Sequence, residues 1–279
     1  MAITGAQGFL GQATLAALAE FNSIIVASSR SRSEPKRTSR KLLSATVDIT
    51  DRTSWDVLFA DNKPTRLIHL AWDYLNDFDD PRHYLEQLPA HLAFIEWCIR
   101  KGISDITVAG TCYEYGLVDG ELDEEMQTKP VLAYAIAKDA LRRSLEHLSG
   151  VTPFSFKWAR IFYVRGDENA EKGIFKCIRD AASQGAKEYA VSRGEQLRDY
   201  LPRKDVGRFL AHFCLQNDIL GIVNCCSGRP MSMRRMMEEF AGKWPGLMLN
   251  FGAVPYRSSE PMAFWGNRDR MDKVLAAPI

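Results

Sequence analysis

Three glycines fall in one short stretch near the start of the chain, Gly5-Ala6-Gln7-Gly8-Phe9-Leu10-Gly11. A short β-like segment, Met1–Thr4, precedes them, and the helix-like run Leu10–Glu20 follows. Strand, glycine turn and helix in that order form the opening unit of a parallel α/β sheet, which constrains the fold more than any other feature here. Glycine is what such a turn needs: it turns tightly, lets the backbone approach a pyrophosphate, and lets the helix pack closely on the strand. A helix starting near Phe9 also directs its unpaired amides and positive dipole end at phosphates. The GxxGxxG spacing differs from GxGxxG, and three glycines also suit a loop that binds nothing. The flanking strand and helix favour a dinucleotide turn. Gly5, Gln7, Gly8, Phe9, Leu10 and Gly11 are therefore candidate cofactor contacts.

Alternation continues downstream. Strand-like runs at Ser23–Ala27, Ala45–Val47, Arg66–Leu70, Asp105–Val108 and Phe154–Phe156 are separated by helix-like runs at Pro89–Arg100 and Leu132–His147. This pattern predicts a doubly wound parallel sheet with helices on both faces. Residues 1–159 read as the dinucleotide-binding domain. Residues 160–279 read mostly as a smaller C-terminal substrate-binding lobe with some segments returning to the first domain. Helices are expected there at Gly173–Ser183, Lys204–Leu215 and Ser232–Lys243, with a strand near Ile222–Cys225. Only four residues precede the glycine turn, short for a central strand, so a few further residues upstream are expected.

The 36 basic and 35 acidic residues nearly cancel, giving no global reason to expect nucleic acid or a membrane surface as partner. No apolar run approaches a membrane span and the N-terminus lacks a signal-peptide pattern. The six cysteines show neither CxxC pairs nor metal-ligand spacing with histidine, so free thiols in a reducing cytoplasm and no metal are expected.

NAD-selective enzymes place an acid about 20 residues after the turn, where it takes the ribose hydroxyls. Here that region reads Ala27-Ser28-Ser29-Arg30-Ser31-Arg32, with no acid before Glu34. Ser28 and Arg30 suit a 2′-phosphate, so NADP(H) is expected ahead of NAD(H). A solvated basic loop is the alternative reading of Arg30 to Lys41. Asp48, after the third strand, fits either a contact to the adenine amino group or a turn within Asp48-Ile49-Thr50-Asp51.

Tyr134 and Lys138 are four apart and share a face on a helix beginning after Pro130. Thr111 lies 23 residues earlier, directly after a predicted strand. Together they supply a hydroxyl, a phenol and an ammonium for moving a proton to or from a carbonyl oxygen. A phenol with a pKa near 10 is about three units too weak an acid at neutral pH, a gap of about 4 kcal/mol. A nearby ammonium and an oxidised nicotinamide are the groups expected to close it.

These residues resemble the extended short-chain dehydrogenase/reductase family, the nucleotide-sugar epimerases, dehydratases and reductases. The resemblance spans essentially the whole chain and implies a Rossmann-like fold with Thr111, Tyr134 and Lys138 as the catalytic residues. More narrowly, His69-Leu-Ala-Trp72, Gly110-Thr-Cys-Tyr-Glu-Tyr-Gly116, Gly194-Glu-Gln-Leu-Arg-Asp-Tyr200 and Phe251-Gly-Ala-Val-Pro-Tyr-Arg257 look like the bacterial NDP-4-keto-6-deoxyhexose 4-reductases of the dTDP-fucose and CDP-abequose type. That likeness implies cofactor contacts at Ile49, Leu70, Ala71 and Trp72. It also implies substrate contacts at Trp72, Thr111, Cys112 and Tyr113, with Arg198 and Arg257 on the diphosphate of a nucleotide-diphosphate sugar; ordinary ion pairs, for instance of Arg198 with Asp199 or Glu195, are the alternative for both arginines. Two departures stand out: Tyr163-Val-Arg165-Gly166 replaces a Tyr-Gly pair, and Asp167-Glu168 a glycine-containing stretch.

Dehydratases of the family carry Asp-Glu after the catalytic threonine, where this chain has Cys112-Tyr113, so dehydration is not expected. Epimerase-reductases of the GDP-fucose synthase type use a cysteine two positions after the catalytic hydroxyl; here that position is Tyr113, and Cys112, one position after, reads as structural. The resemblance therefore implies reduction of a 4-keto sugar, with 4-epimerisation as the alternative. A cofactor-binding sensor or scaffold without turnover is the alternative of another class. A homodimer through Pro89–Arg100 and Leu132–His147 is a further family expectation, although periodicity equally permits a buried intrachain face.

Overall fold

The computed structural model describes residues 1–21, 25–30, 42–60, 63–165, 173–256 and 261–279. Seven parallel strands form one sheet: β1 (Ala2–Thr4), β2 (Ile25–Ser29), β3 (Leu42–Thr46), β4 (Arg66–His69), β5 (Asp105–Thr111), β6 (Ser155–Ile161) and β7 (Gly221–Cys225). Their spatial order is β3-β2-β1-β4-β5-β6-β7. Strand order reverses between β1 and β4, and in such sheets the crevice beyond the carboxyl ends of those strands is where ligands bind. Gly5 follows β1 and Leu70 follows β4, so the glycine turn opens onto that crevice.

Both faces of the sheet are covered, which is why β1 and β5 are buried at every residue and carry no polar alternation. On one face pack α2 (Leu88–Arg100) and α3 (Ala133–Val151), burying Phe94, Ile95, Leu141 and Leu145 against Leu67, Ile106 and Trp158. On the other lie α1 (Phe9–Leu18) and, from the second half of the chain, α5 (Arg203–Leu215) and α7 (Asp269–Ala276). Each fully buried Leu, Ile or Phe contributes about 1.5–3 kcal/mol, so the two layers hold the sheet as one unit.

The remaining elements, α4 (Gly173–Ser183) and α6 (Met233–Ala241), belong to a smaller lobe. They close on the parallel pair Glu188–Val191 and Met248–Phe251 over a separate core of Ile178, Val191, Met237, Ala241 and Leu247. Short pairs tie the lobe to the sheet: Tyr163–Arg165 beside Tyr200–Pro202, and Gly120–Leu122 beside Phe264–Gly266. The fold is thus a Rossmann-like parallel α/β sheet with a smaller C-terminal lobe.

Several elements differ in extent from the sequence reading. β5 and β6 run three and five residues beyond the apolar signals at Val108 and Phe156, because Gly110 and Thr111 stay paired with Arg160 and Ile161. A π-helical turn, His83–Gln87, precedes α2, and it orients side chains of the site.

Candidate active site

One cleft of about 640 Å³ lies at the carboxyl ends of β1, β4 and β5. Gly5, Gln7, Gly8, Phe9, Leu10 and Gly11 form one wall. A side chain at Gly11 would place its first carbon 2.2 Å from the Gly5 carbonyl oxygen, and Gly5 itself adopts φ +66° with Ala71 close against it. The turn therefore closes only with glycine at these positions. Gly8 caps α1 from extended backbone, leaving the amides of the first turn directed at the cleft. The glycine cradle, the helix terminus and the size of the cleft fit a dinucleotide.

The opposite wall comes from the segment after β4. Thr4 Oγ1 accepts the amides of Leu70 and Ala71 at 3.2 and 3.3 Å, pinning that segment to β1. Beneath it runs a buried chain: Thr4 Oγ1 to His69 Nδ1 at 2.9 Å, His69 Nε2 to His91 Nδ1 at 2.6 Å, and His91 Nε2 to Gln87 Oε1 at 3.1 Å. Gln87 Oε1 also accepts the Asp73 amide at 3.1 Å. One proton assignment satisfies every member: Thr4 donates to His69, His69 to His91, and His91 to Gln87. It requires two neutral rings. Burial, with Lys138 nearby, lowers His69 to about 3 and holds His91 well below the usual imidazole range. Trp72 stacks on His91 with ring centres 4.5 Å apart and donates its indole N–H to His83 at 3.0 Å.

At the inner end the three proposed proton-transfer residues converge. Thr111 ends β5; its hydroxyl accepts the Tyr113 amide at 3.3 Å while its own amide donates to Glu114 at 2.9 Å, a reciprocal cap. Tyr134 opens α3, its amide donating to the Phe78 carbonyl at 2.9 Å and its ring stacking on Phe78 at 5.2 Å. The Thr111 hydroxyl interacts with the Tyr134 phenol. Lys138 is buried, donates to the Ala109 carbonyl at 2.9 Å, and sits 3.9 Å from the Trp72 ring centre and 5.9 Å from that of Tyr134. Burial lowers the Lys138 amine to about 7, despite the opposing pull of Glu114. Burial also raises the Tyr134 phenol, with Glu114, Cys112 and Tyr113 adding to the rise. Without a bound nicotinamide, burial thus dominates at the phenol.

The remaining proposed residues divide. Ser28, Arg30, Asp48, Ile49, Leu70, Ala71, Trp72 and Tyr113 line the cleft with the glycine turn. Asp48 makes the turn foreseen as its alternative role, accepting the Thr50 amide and hydroxyl at 2.8 and 2.7 Å. Cys112 does not reach the cleft: it packs among Tyr115, Leu122, Phe162, Cys226 and Phe264, and burial raises its thiol. Arg198 is also off the cleft wall, 2% exposed, donating to the Leu197 carbonyl and lying 5.2 Å from the Phe264 ring centre. Its short strand, Leu197–Arg198, turns the guanidinium inward, because Asp199 beside it binds the amides of Ser227, Gly228 and Gly266. Arg257 and the Gly166 to Glu168 stretch lie outside the described residues. Phe78, Asp73, His91 and Glu114 were not singled out from sequence. Their roles depend on contacts across long separations, and the segment 71–82 carries no periodicity that would flag it.

The NAD dependent epimerase/dehydratase family model matches residues 1–226. A dTDP-6-deoxy-L-talose 4-dehydrogenase (NAD(+)) from Aggregatibacter actinomycetemcomitans is 33% identical over 202 residues, covering 72% of this chain and 74% of that protein. Among solved structures, the UDP-N-acetylglucosamine 4-epimerase from Methanobrevibacter ruminantium M1 in complex with UDP-N-acetylmuramic acid superposes with a TM-score of 0.83 at 20% identity, covering 100% of this chain and 92% of its own. The UDP-glucose 4-epimerase of Thermus thermophilus in complex with NAD gives 0.80 at 18% identity, with 98% and 91% covered. At these identities the two structures show a shared fold.

The expectation of NADP(H) is overturned by the Aggregatibacter and Thermus relatives, whose named cofactor is NAD. The side chain on which it rested is already occupied: Arg30 is held by the Asp73 carboxylate at 2.7 and 2.8 Å. From the match over residues 1–226 and the identity to a curated nicotinamide-dependent enzyme, the chain belongs to the NAD dependent epimerase/dehydratase family.

Proposed function

We propose that this enzyme uses NAD to oxidise and re-reduce C4 of the hexose in a nucleotide-diphosphate sugar, acting as a 4-epimerase. The observation that carries this reading is the inner end of the cleft: Thr111, Tyr134 and Lys138 meet there, and the other walls are Ala109, Gly110, Tyr113, Ile161, Phe162 and Val164. No carboxylate and no thiol is among those described lining residues, and the second phenol, Tyr113, donates to the Tyr163 hydroxyl at 3.2 Å, which leaves Tyr134 as the proton carrier at one oxygen. Dehydration or inversion at a carbon next to a carbonyl needs a further acid or base. Epimerisation through a 4-keto sugar does not.

In this mechanism Tyr134 takes the C4 hydroxyl proton and returns it, and the Thr111 hydroxyl holds the same oxygen. Lys138 places positive charge beside the phenol once the amine is protonated. NAD, when bound, supplies the hydride acceptor and donor. Phe78 and Trp72 shield Tyr134 from water, which strengthens each of these interactions. Both solved relatives named above are 4-epimerases, which supports the reading.

The 33% identity to a 4-dehydrogenase favours a second outcome, net oxidation of a 4-hydroxyl or, in reverse, reduction of a 4-keto-6-deoxy sugar. The same three residues serve it. Proton NMR of nucleotide hexoses incubated with the enzyme and trace NAD separates the two. Inversion at C4 without net NADH supports epimerisation, and stoichiometric NADH formation supports the dehydrogenase. Cofactor binding without change to any of a panel of such sugars favours a sensor or scaffold and refutes both.

A further inference from the structure

We propose that Asp73 sets the cofactor preference of this chain by holding Arg30 away from the adenosine ribose, so that NAD is accepted and a 2′-phosphate rejected. The proposal rests on the cofactor part of the reading above. β2 ends in Ser28 and Ser29 and is followed by Arg30 with no acid, a composition that by itself invites a 2′-phosphate. Both Arg30 and Asp73 line the cleft on the side where Asp48 and Ile49 stand. The guanidinium meets the carboxylate through two parallel bonds, Nη2 to Oδ1 at 2.7 Å and Nη1 to Oδ2 at 2.8 Å. That fork is the geometry a phosphate would need, already filled by a side chain 43 residues away.

Among the described residues, charge points the same way. Asp48 lies close enough to act electrostatically on Asp73, so Arg30, Asp48 and Asp73 together carry a net charge of −1 where a dianionic phosphate would arrive. The adjoining hollow adds Arg52 and Glu86, which cancel. An exposed ion pair contributes little to folding, and here its effect is on selection. Asp73 does not reach Arg30 by chance: its amide is tied to Gln87, which His91 holds through the buried chain from Thr4 and His69. The acid missing from the end of β2 is thus supplied from beyond β4.

Fluorescence titration of the full chain with NADH and NADPH tests this, without sugar turnover. The unaltered chain is expected to bind NADH more tightly. Asp73→Asn should raise the NADPH-to-NADH affinity ratio by about ten-fold or more, the scale expected for removing a charge beside a phosphate. Adding Arg30→Ala should abolish that gain. Thermal melting establishes that each variant is folded, and Asp73→Ser is the substitute if the asparagine variant is not. An unchanged ratio in the single variant, or a gain that survives the double variant, overturns the proposal. Failure of the unaltered chain to bind either nucleotide overturns this proposal and the cofactor reading together, whereas NADH binding with an unchanged ratio overturns this one alone.

Discussion

The Thr111 amide donates to the Glu114 carboxylate at 2.9 Å, so a side chain three positions further on fixes the hydroxyl at the inner end of the cleft. Glu114 is fully buried and also accepts from Trp158 Nε1 at 3.0 Å and Arg160 Nε at 2.8 Å. Burial pushes its carboxyl up on balance, and the Arg160 guanidinium opposes that rise. Glu114→Gln leaves the Arg160 guanidinium buried without its counter-charge. The expected loss is about 3–5 kcal/mol of stability, read by urea denaturation followed by tryptophan fluorescence.

Tyr134→Phe removes the proposed proton carrier and retains the ring that stacks on Phe78. Turnover should fall by about 10²–10⁴-fold with NADH binding within a few-fold of the unaltered chain. Equal turnover in the two proteins would remove Tyr134 from the mechanism.

Lys138 titrates at about 7 in the fold against 10.5 in an unstructured chain. Between those values the unfolded chain binds the proton that the folded chain has released. Stability in the absence of cofactor should therefore rise with pH from about 7 towards 9, above which the buried thiols complicate the slope. Lys138→Met lacks this contribution. The difference in melting temperature between the two proteins, followed across that window, should shrink at high pH as the advantage of the neutral side chain disappears.

His69 and His91 predict an acid limb of the same origin at lower pH. Both rings are kept neutral by burial, His69 down to about 3, whereas free imidazole gains a proton near 6.5. Below that value the unfolded state binds protons the folded state refuses, so stability falls as pH drops from about 6.5. His91→Gln should make the fall shallower, measured by denaturation midpoints from about pH 4 to 7.

Gly11→Ala and Gly8→Ala separate turn sterics from general tolerance. At Gly11 the new methyl meets backbone at 2.2 Å, which the turn cannot relieve; at Gly8 the nearest atom is 3.1 Å away. The first should cost about 1–3 kcal/mol and weaken NADH binding sharply, and the second should have a smaller effect on both. Melting curves with and without NADH check the pair.

Much of the central sheet was legible because its strands are short apolar runs between helical periods, as at Arg66–His69 and Gly221–Cys225. The glycine turn and the Thr111, Tyr134 and Lys138 set were legible because their spacing is local or tied to one strand and one helix. What stayed hidden depends on distant partners. Arg30 looked like a free phosphate ligand because Asp73 is 43 positions away. Arg198 read as a diphosphate ligand because nothing in Glu195–Asp199 reveals that Asp199 is tied to three backbone amides beside it. Cys112, adjacent to a catalytic candidate in sequence, faces the other side of its short helical turn.

Helix α1 is braced along its length by α5, closely enough that a methyl on Gly207 would strike the Ala13 backbone at 2.4 Å. The brace extends to the dinucleotide turn, where the Arg203 guanidinium lies 4.8 Å from the Phe9 ring centre and bonds Gln12 at 3.2 Å. A residue 191 positions downstream thus scaffolds the opening loop. Scission of the polypeptide just after Ala159 would strand that loop without its support, and neither fragment would inherit an autonomous nucleotide binder.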